Sequence, residues 1–379
     1  MLKKYSFLII LYVKIDSLKM STHKICVYAI CKNEMKFVDR WLTSLHKESD
    51  YIVVLDTGST DGTFEYLQND PRVYKCEQKI FDPWRFDTAR NYSMTLIPED
   101  TTICVVSDLD QTFREGWSES LKREFERGFN CVAGPIIDYD DDNNEIKRFL
   151  SYNVHSNDSS WRWERPVHEG LRTDGEERLA TVEDFVIEHH PDYTKSRGGY
   201  LDILRREYEE NHHDPMCAIY YGCELEFRGF PDESFEVFKR AIGECDYTGQ
   251  ESVGCQTYLN LARCYLSRGN NETAYFIAFA AQDFGVPTRR LYMTLFECCS
   301  SPITQEYWLK RALAYTYHDK SWIEDDIYFK GLVELELFRL YHRTGNEDGM
   351  KSIGKTAMNL LKENGFIDDY EYIKNTLEL

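Results

Sequence analysis

The stretch TTICVVSDLDQTF, residues 101–113, delivers two carboxylates, Asp108 and Asp110, to the end of an apolar run. Two carboxylates about 4 Å apart repel by up to about 4 kcal/mol at an effective dielectric near 20. A divalent cation reverses that sign, and Mg²⁺ or Mn²⁺ favours one or two carboxylates together with phosphate oxygens. Asp-x-Asp after a strand therefore fits a metal that joins protein to a diphosphate. The same tripeptide often only caps a helix.

Four more stretches carry reactive side chains. DTGSTDGT, residues 56–63, sets Asp56 at a strand end. Its Gly58 and Gly62 allow a tight turn beside a ligand, and Ser59 or Thr60 can cap the next helix. FDTARN, residues 86–91, puts Arg90 in the first turns of a helix, where it can meet a carboxylate, a ring or a phosphate, or remain on the surface. WERPVHEG, residues 163–170, sets His168 beside Glu169, a candidate general base or a solvated loop pair. VIEHHPDYTKSRGGY, residues 186–200, ends a β-like run in His189 and His190, and neutral imidazole is a common metal ligand. Lys195 and Arg197 behind them can counter phosphate charge or lie solvated.

Periodicity gives the elements that must position these groups. Residues 24–30, 51–55, 72–77 and 102–107 read as strands, with helices over 34–46, after Phe64, and from Asp87 onward. Strands that are apolar throughout and alternate with helices imply a parallel sheet covered on both faces. Ligands of such sheets bind beyond the carboxyl ends of the strands, where Asp56 and Asp108 both stand. Residues 131–187 change to short β-like runs, a mixed and partly antiparallel completion of the same domain. After about residue 196 the pattern is helical, with three helix–turn–helix units turning at Gly229, Gly269 and Gly345. Aligning the first two glycines pairs Phe238 with Ala278 and Ala241 with Ala281. These units are similar to degenerate tetratricopeptide repeats, against the plainer reading of a helical bundle. Leu335, Leu337 and Leu340 read as repeat core rather than interface. The expected fold class is α/β for residues 20–195, followed by an all-α helical-repeat domain over 196–379, with residues 1–19 an extension that need not be native.

Bulk properties narrow the partners. The 379 residues carry a net charge of −20, which argues against a nucleic-acid groove or an anionic membrane surface. Any anionic substrate must then be held by a local cation, a helix N-terminus or a few placed arginines. The apolar run from Phe7 to Val13 is too short to span a bilayer, and no small-residue cleavage site follows it. Twelve cysteines without a CxxC pair point to free thiols in a reducing, cytoplasmic compartment.

Taken together, ICVYAICKNE, VVLDTGSTDGTFE, FDTARN, VVSDLDQTF and RPVHEG occur in the order and rough spacing of family two glycosyltransferases of the GT-A fold. The resemblance covers about residues 24–245. IEHHPDYTKSRGGYLDIL followed by IYYGCELEFRGF looks like the subgroup with a helical-repeat tail, similar in layout to sublancin-type S-glycosyltransferases. The resemblance implies a nucleotide-sugar donor, usually a UDP-sugar, and Mn²⁺ or Mg²⁺. It places Asp56 toward the uracil or ribose, Arg90 near the base, Asp108 toward ribose and metal, and Asp110 on the metal. His189 would complete the metal shell, and Glu169 would be the general base with His168 as its positioner. Lys195 and Arg197 would screen the departing nucleotide. Gln111 stands where many relatives have Glu, and Leu109 replaces a small residue, departures that bear on sugar choice. The expected function is metal-dependent, inverting transfer of a sugar to a hydroxyl or thiol on a peptide, protein, glycan or small molecule. The helical tail would hold that acceptor or form a homodimer. Two rivals are a non-catalytic nucleotide-sugar-binding scaffold and a nucleotidyltransferase, and AICKNEM lacks the glycine-rich, lysine-containing phosphate loop that would support the second.

Overall fold

The computed structural model describes residues 23–140, 142–192, 199–316 and 326–378. The extension 1–19 and the two candidate phosphate partners Lys195 and Arg197 lie outside the described residues. The chain divides into two units, the second beginning at Gly199.

In the first unit, strands β1 (Ile25–Cys31), β2 (Tyr51–Asp56), β3 (Lys75–Gln78) and β4 (Ile103–Val106) pair in parallel. Helices α1 (Val38–Leu45), α2 (Thr63–Asn69) and α3 (Phe86–Met94) alternate with them. Successive strand residues point to opposite faces. Ile25, Val27, Ile52, Val54, Ile103 and Val105 pack with Trp41 of α1 in one core. Cys26, Tyr28, Val53, Leu55, Cys104 and Val106 pack with Ala89 of α3 in the other. Burial on both faces is why these strands read as unbroken apolar runs.

The remainder completes the sheet: β5 (Gln111–Phe113), α4 (Trp117–Glu126), β6 (Cys131–Tyr139), β7 (Glu145–Ser156), β8 (Trp161–Glu164), β9 (Gly170–Thr173), β10 (Leu179–Thr181) and β11 (Ile187–His189). The order is β3-β2-β1-β4-β7-β6-β11-β5, with β10 beside β6 and with β8 and β9 in a separate hairpin. Strand β7 runs antiparallel to β4 and β6, whereas β11 is parallel to β6 and antiparallel to β5. The mixed sheet is the one expected for residues 131–187.

Two local expectations are corrected. Helix α1 begins at Val38 and not near residue 34. The amides of Glu34 and Met35 instead donate to Thr63 Oγ1 at 2.9 Å and Asp61 Oδ2 at 3.1 Å, which docks this segment on the β2–α2 turn. Neither Ser59 nor Thr60 caps α2, whose N-cap is Gly62. Ser59 Oγ accepts from the Asn33 amide and the Thr60 amide donates to Asn33 Oδ1, both at 2.7 Å.

The second unit contains α5 (Tyr200–Glu210), α6 (Pro215–Phe227), α7 (Pro231–Glu244), α8 (Glu251–Ser267), α9 (Asn271–Ala280), α10 (Arg289–Cys298), α11 (Pro302–Ala314), α12 (Leu332–Thr344), α13 (Glu347–Glu363) and α14 (Ile367–Thr376). The three expected hairpins are α6–α7, α8–α9 and α12–α13. Gly229, Gly269 and Gly345 end their first helices with φ of +82°, +74° and +69°, a conformation that L side chains resist. The paired positions Phe238, Ala278, Ala241 and Ala281 are all fully buried, and Leu335, Leu337 and Leu340 also lie in the core. A fourth hairpin, α10–α11, adds to the three expected ones. Every residue of α10 except Glu297 is buried, its polar residues Arg289, Arg290 and Thr294 included. Among the described residues no helix is long and apolar enough to cross a membrane.

Candidate active site

The site is built on the turn that follows β4. Ser107 Oγ accepts from Trp41 Nε1 at 2.9 Å and donates to the Asp108 carbonyl at 3.1 Å. Gln111 closes the turn: its Oε1 accepts from the Asp108 amide at 3.2 Å, and its own amide donates to the Asp108 carbonyl at 3.1 Å. This geometry sends the two aspartates into different surroundings.

Asp108 belongs to a bridge through Arg90. Arg90 Nη2 donates to Asp108 Oδ1 at 3.0 Å, and Nε donates to Glu169 Oε1 at 2.6 Å. The guanidinium also lies 5.2 Å from the Trp163 ring. Burial opposes its charge, but the two carboxylates outweigh that effect and raise its pKa. Its Nη1 is buried with no hydrogen-bond partner among the described residues. Asn91, the next residue, donates from Nδ2 to the Trp163 carbonyl and accepts from the Trp163 amide, both at 2.8 Å. The Ala-Arg-Asn run of α3 thus docks strand β8 and joins two carboxylates 61 positions apart in one ion-paired group.

Arg90, Asp108 and Glu169 line a cavity of about 490 Å³ together with Asn153, Trp161 and Trp163. Asn153 Oδ1 is a second buried atom with no partner among the described residues. Aromatic walls beside an unpaired donor and an unpaired acceptor suit a polar ligand with flat apolar faces.

Behind the Trp163 wall runs a buried relay. Trp163 Nε1 donates to Tyr28 Oη at 3.0 Å, and Tyr28 Oη lies 2.9 Å from His155 Nε2. His155 Nδ1 lies 2.9 Å from the Ser156 carbonyl, which only accepts, so Nδ1 carries the proton and Nε2 accepts from Tyr28. Burial pushes the imidazole down to about 4. A pKa lower in the folded than in the unfolded chain means stability that is present above about pH 6.5 and lost as pH falls toward 4. The loss is expected to reach about 3 kcal/mol. Unfolding free energies from urea titrations between pH 7.5 and 4 should fall by that amount in the wild type and by much less in His155→Gln.

Asp110 belongs to a different group. Parallel pairing of β6 with β11 sets Asp138 opposite His189, and antiparallel pairing of β11 with β5 sets His189 opposite Gln111. His189 Nδ1 lies 2.8 Å from Asp138 Oδ1, and Nε2 lies 3.3 Å from Asp110 Oδ2. Burial lowers the imidazole's pKa, but the carboxylates of Asp110 and Asp138 outweigh it and raise it to about 9. Asp110 Oδ1 is buried with no hydrogen-bond partner among the described residues.

These residues fit a divalent cation. A carboxylate oxygen buried without a donor is an unmet demand for positive charge. The 3.3 Å between His189 Nε2 and Asp110 Oδ2 is close to the spacing of two donors that share one ion at about 2.1 Å. Asp108 is not part of this pair. Among the described residues the trio of His, Cys, Asp or Glu donors within 4.8 Å of one another is His212, His213 and Glu244, in the second unit. Asp108, Asp110 and His189 therefore do not converge as one cage.

The other expected residues lie as follows. Asp56 is fully buried, and its Oδ1 accepts from the amides of Gly58 and Ser59 and from Gln78 Nε2, each at 2.9 Å. Burial raises its pKa, but bonds from Ser59, Gln78 and Gly58 outweigh that and hold it below the usual carboxylate range. Asp56 thus holds the turn after β2. His168 is exposed, with φ of +56°, and does not line the cavity. His190 stacks on Tyr139, with ring centres 5.1 Å apart. Asp138, Asn153 and Trp163 carry no reading from the sequence, and Asn91 is placed there beside Arg90 in the helix's first turns without a role. Asn91 had a signal, its place in the Ala-Arg-Asn run, whereas Asp138 sits in the acidic stretch DYDDD with nothing to set it apart.

Residues 26–187 match the family model described as Glycosyl transferase family 2. A search of curated proteins finds no match. Among solved structures, S. aureus TarS 1-349 in complex with UDP-GlcNAc is 14% identical, with 77% of this chain and 88% of that chain covered and a TM-score of 0.38. Another S. aureus TarS structure is 12% identical, with 74% of this chain and 54% of that one covered and a TM-score of 0.38. YrrB, described as a TPR protein with an unusual peptide-binding site, is 14% identical, with 47% and 85% covered and a TM-score of 0.34. At TM-scores this low, none of these likenesses bears on what this chain binds.

Proposed function

Because the chain is a glycosyltransferase, with residues 26–187 its family 2 domain, we propose that it moves a sugar from a nucleotide-sugar, foremost a UDP-sugar, to an acceptor hydroxyl or thiol with inversion. The observation that carries this reading is the Ser107–Gln111 turn. It sends one carboxylate to the rim of a 490 Å³ cavity and the other to a buried set of hard donors.

Asp110 and His189 would hold Mn²⁺ or Mg²⁺, with Asp108 on the donor side of the cavity. Such an ion supplies the positive charge that offsets a departing diphosphate. The chain's own residues do the rest. Trp161 and Trp163 offer faces to the bound sugar, and Arg90 Nη1 offers it a donor. Arg90 fixes Glu169 through Oε1, which leaves the second carboxylate oxygen to take the acceptor's proton as that atom attacks the anomeric carbon. Arg90 positions Glu169. A single displacement inverts the anomeric carbon. Asp56 acts on the donor through the turn it holds, and Lys195 and Arg197 screen the leaving nucleotide.

The helical unit would present a peptide, protein, glycan or small-molecule acceptor, or pair two copies of the chain. The scattered cysteines without a CxxC pair fit the reducing cytoplasm in which we place the reaction.

Calorimetric titration with UDP-, GDP- and CDP-sugars, each with and without Mn²⁺, tests the reading. UDP-sugars should bind, and should hydrolyse slowly, only with the metal. Failure of every nucleotide sugar to bind under both conditions would overturn it.

A further inference from the structure

The transfer reaction as outlined gives Asp138 no task, yet this residue controls which nitrogen of His189 is available. We infer that Asp138 is a positioning residue. Its carboxylate holds a proton on Nδ1 and turns Nε2 toward Asp110, so that Nε2 is the nitrogen a divalent cation would take. This inference rests on the metal reading of Asp110 and His189.

A carboxylate can only accept, so the 2.8 Å contact with Asp138 Oδ1 makes Nδ1 the donor. Nε2 is then directed at Asp110 Oδ2, 3.3 Å away. In the ion-free protein the two carboxylates favour a proton on Nε2 as well as on Nδ1, and a divalent cation would take the place of the Nε2 proton between the ring and Asp110 Oδ2. The arrangement is set by the sheet. Asp138 and His189 are direct partners in the parallel β6–β11 ladder, so backbone hydrogen bonds hold their side chains at one level on one face. Both side chains are only about a quarter exposed, which limits the rotamers open to the ring. A carboxylate behind a metal-binding imidazole fixes the tautomer and strengthens the ligand, and its loss typically costs 10- to 100-fold in metal affinity.

The test is Mn²⁺ titration of the full-length protein, read by loss of the free-Mn²⁺ electron paramagnetic resonance signal, with no substrate present. Asp138→Ala should weaken Mn²⁺ binding about 10- to 100-fold. Asp138→Asn, whose amide oxygen still accepts from Nδ1, should stay within a few-fold of wild type. Wild-type affinity in Asp138→Ala overturns the inference and leaves the metal reading intact. Equal losses in the two variants overturn the tautomer mechanism, because charge and not hydrogen-bond direction would then be what matters. No Mn²⁺ binding by the wild type, or full binding by Asp110→Asn, removes the metal reading and this inference with it. A measurement that needs no variant stands beside these. In the wild type loaded with Zn²⁺, ¹⁵N shifts should place the His189 proton on Nδ1, and a proton on Nε2 overturns the assignment.

Discussion

Asp110→Asn is expected to lower kcat/KM by about a thousandfold while leaving the fold intact. Positive charge set against a developing anion is worth several kcal/mol, and each 1.36 kcal/mol is a factor of ten in rate. Asparagine keeps the size of Asp110 but offers the buried Oδ1 position no charge with which to attract a cation. The fold should tolerate the change. Asp110 makes no ion pair with an arginine or lysine among the described residues, and His189 retains Asp138 as its partner. The melting temperature should therefore move by only a few degrees. Steady-state kinetics across a Mn²⁺ series would check this, with raised Mn²⁺ recovering part of the rate. Turnover at the wild-type level would show that Asp110 does not hold the ion.

The second large effect is on stability. Arg90→Met leaves Asp108 and Glu169 facing a cavity with the cation between them removed. Breaking a buried ion pair from one side costs about 3–5 kcal/mol. Asp108 is 45% exposed and keeps much of its hydration, while Glu169 is 14% exposed and does not, so the lower end, about 3 kcal/mol, is expected. For a unit of this size that is a fall of about 6–12 °C in the transition of the first unit. Adding Glu169→Gln should return part of the loss, because it removes the less solvated of the two stranded charges. Arg90→Lys should recover less than a full bridge, since an ammonium cannot present the two-pronged edge that reaches both acceptors. Scanning calorimetry of the four proteins resolves the pattern. A melting temperature unchanged in Arg90→Met would mean that the bridge does not hold this part of the fold together.

Much of the architecture was legible without coordinates. Residues 25–31, 51–56 and 103–106 are apolar on both faces because both faces are covered, and that alone points to a parallel sheet between layers of helices. Gly229, Gly269 and Gly345 marked three helical hairpins because a helix that stops in the left-handed region needs a residue without a Cβ. The hairpin of α10 and α11 is not among those three because its connection, residues 299–301, carries no glycine to mark the turn. Ser59 and Thr60 were plausible caps by type, but Asn33, distant in sequence, took both of them.

The same division runs through the site. By residue type and motif, the chain marked Asp108, Asp110, Arg90, Glu169 and His189 as candidates. The structure alone decided their grouping. It set Arg90 against Glu169 across 79 positions, joined His189 to Asp138 across 51, and parted two aspartates that are one residue from being neighbours. Local periodicity reports which way a side chain faces within its own element. Which strand lies beside which is settled by the packing of the whole sheet, and the partner of each charged group follows from that order.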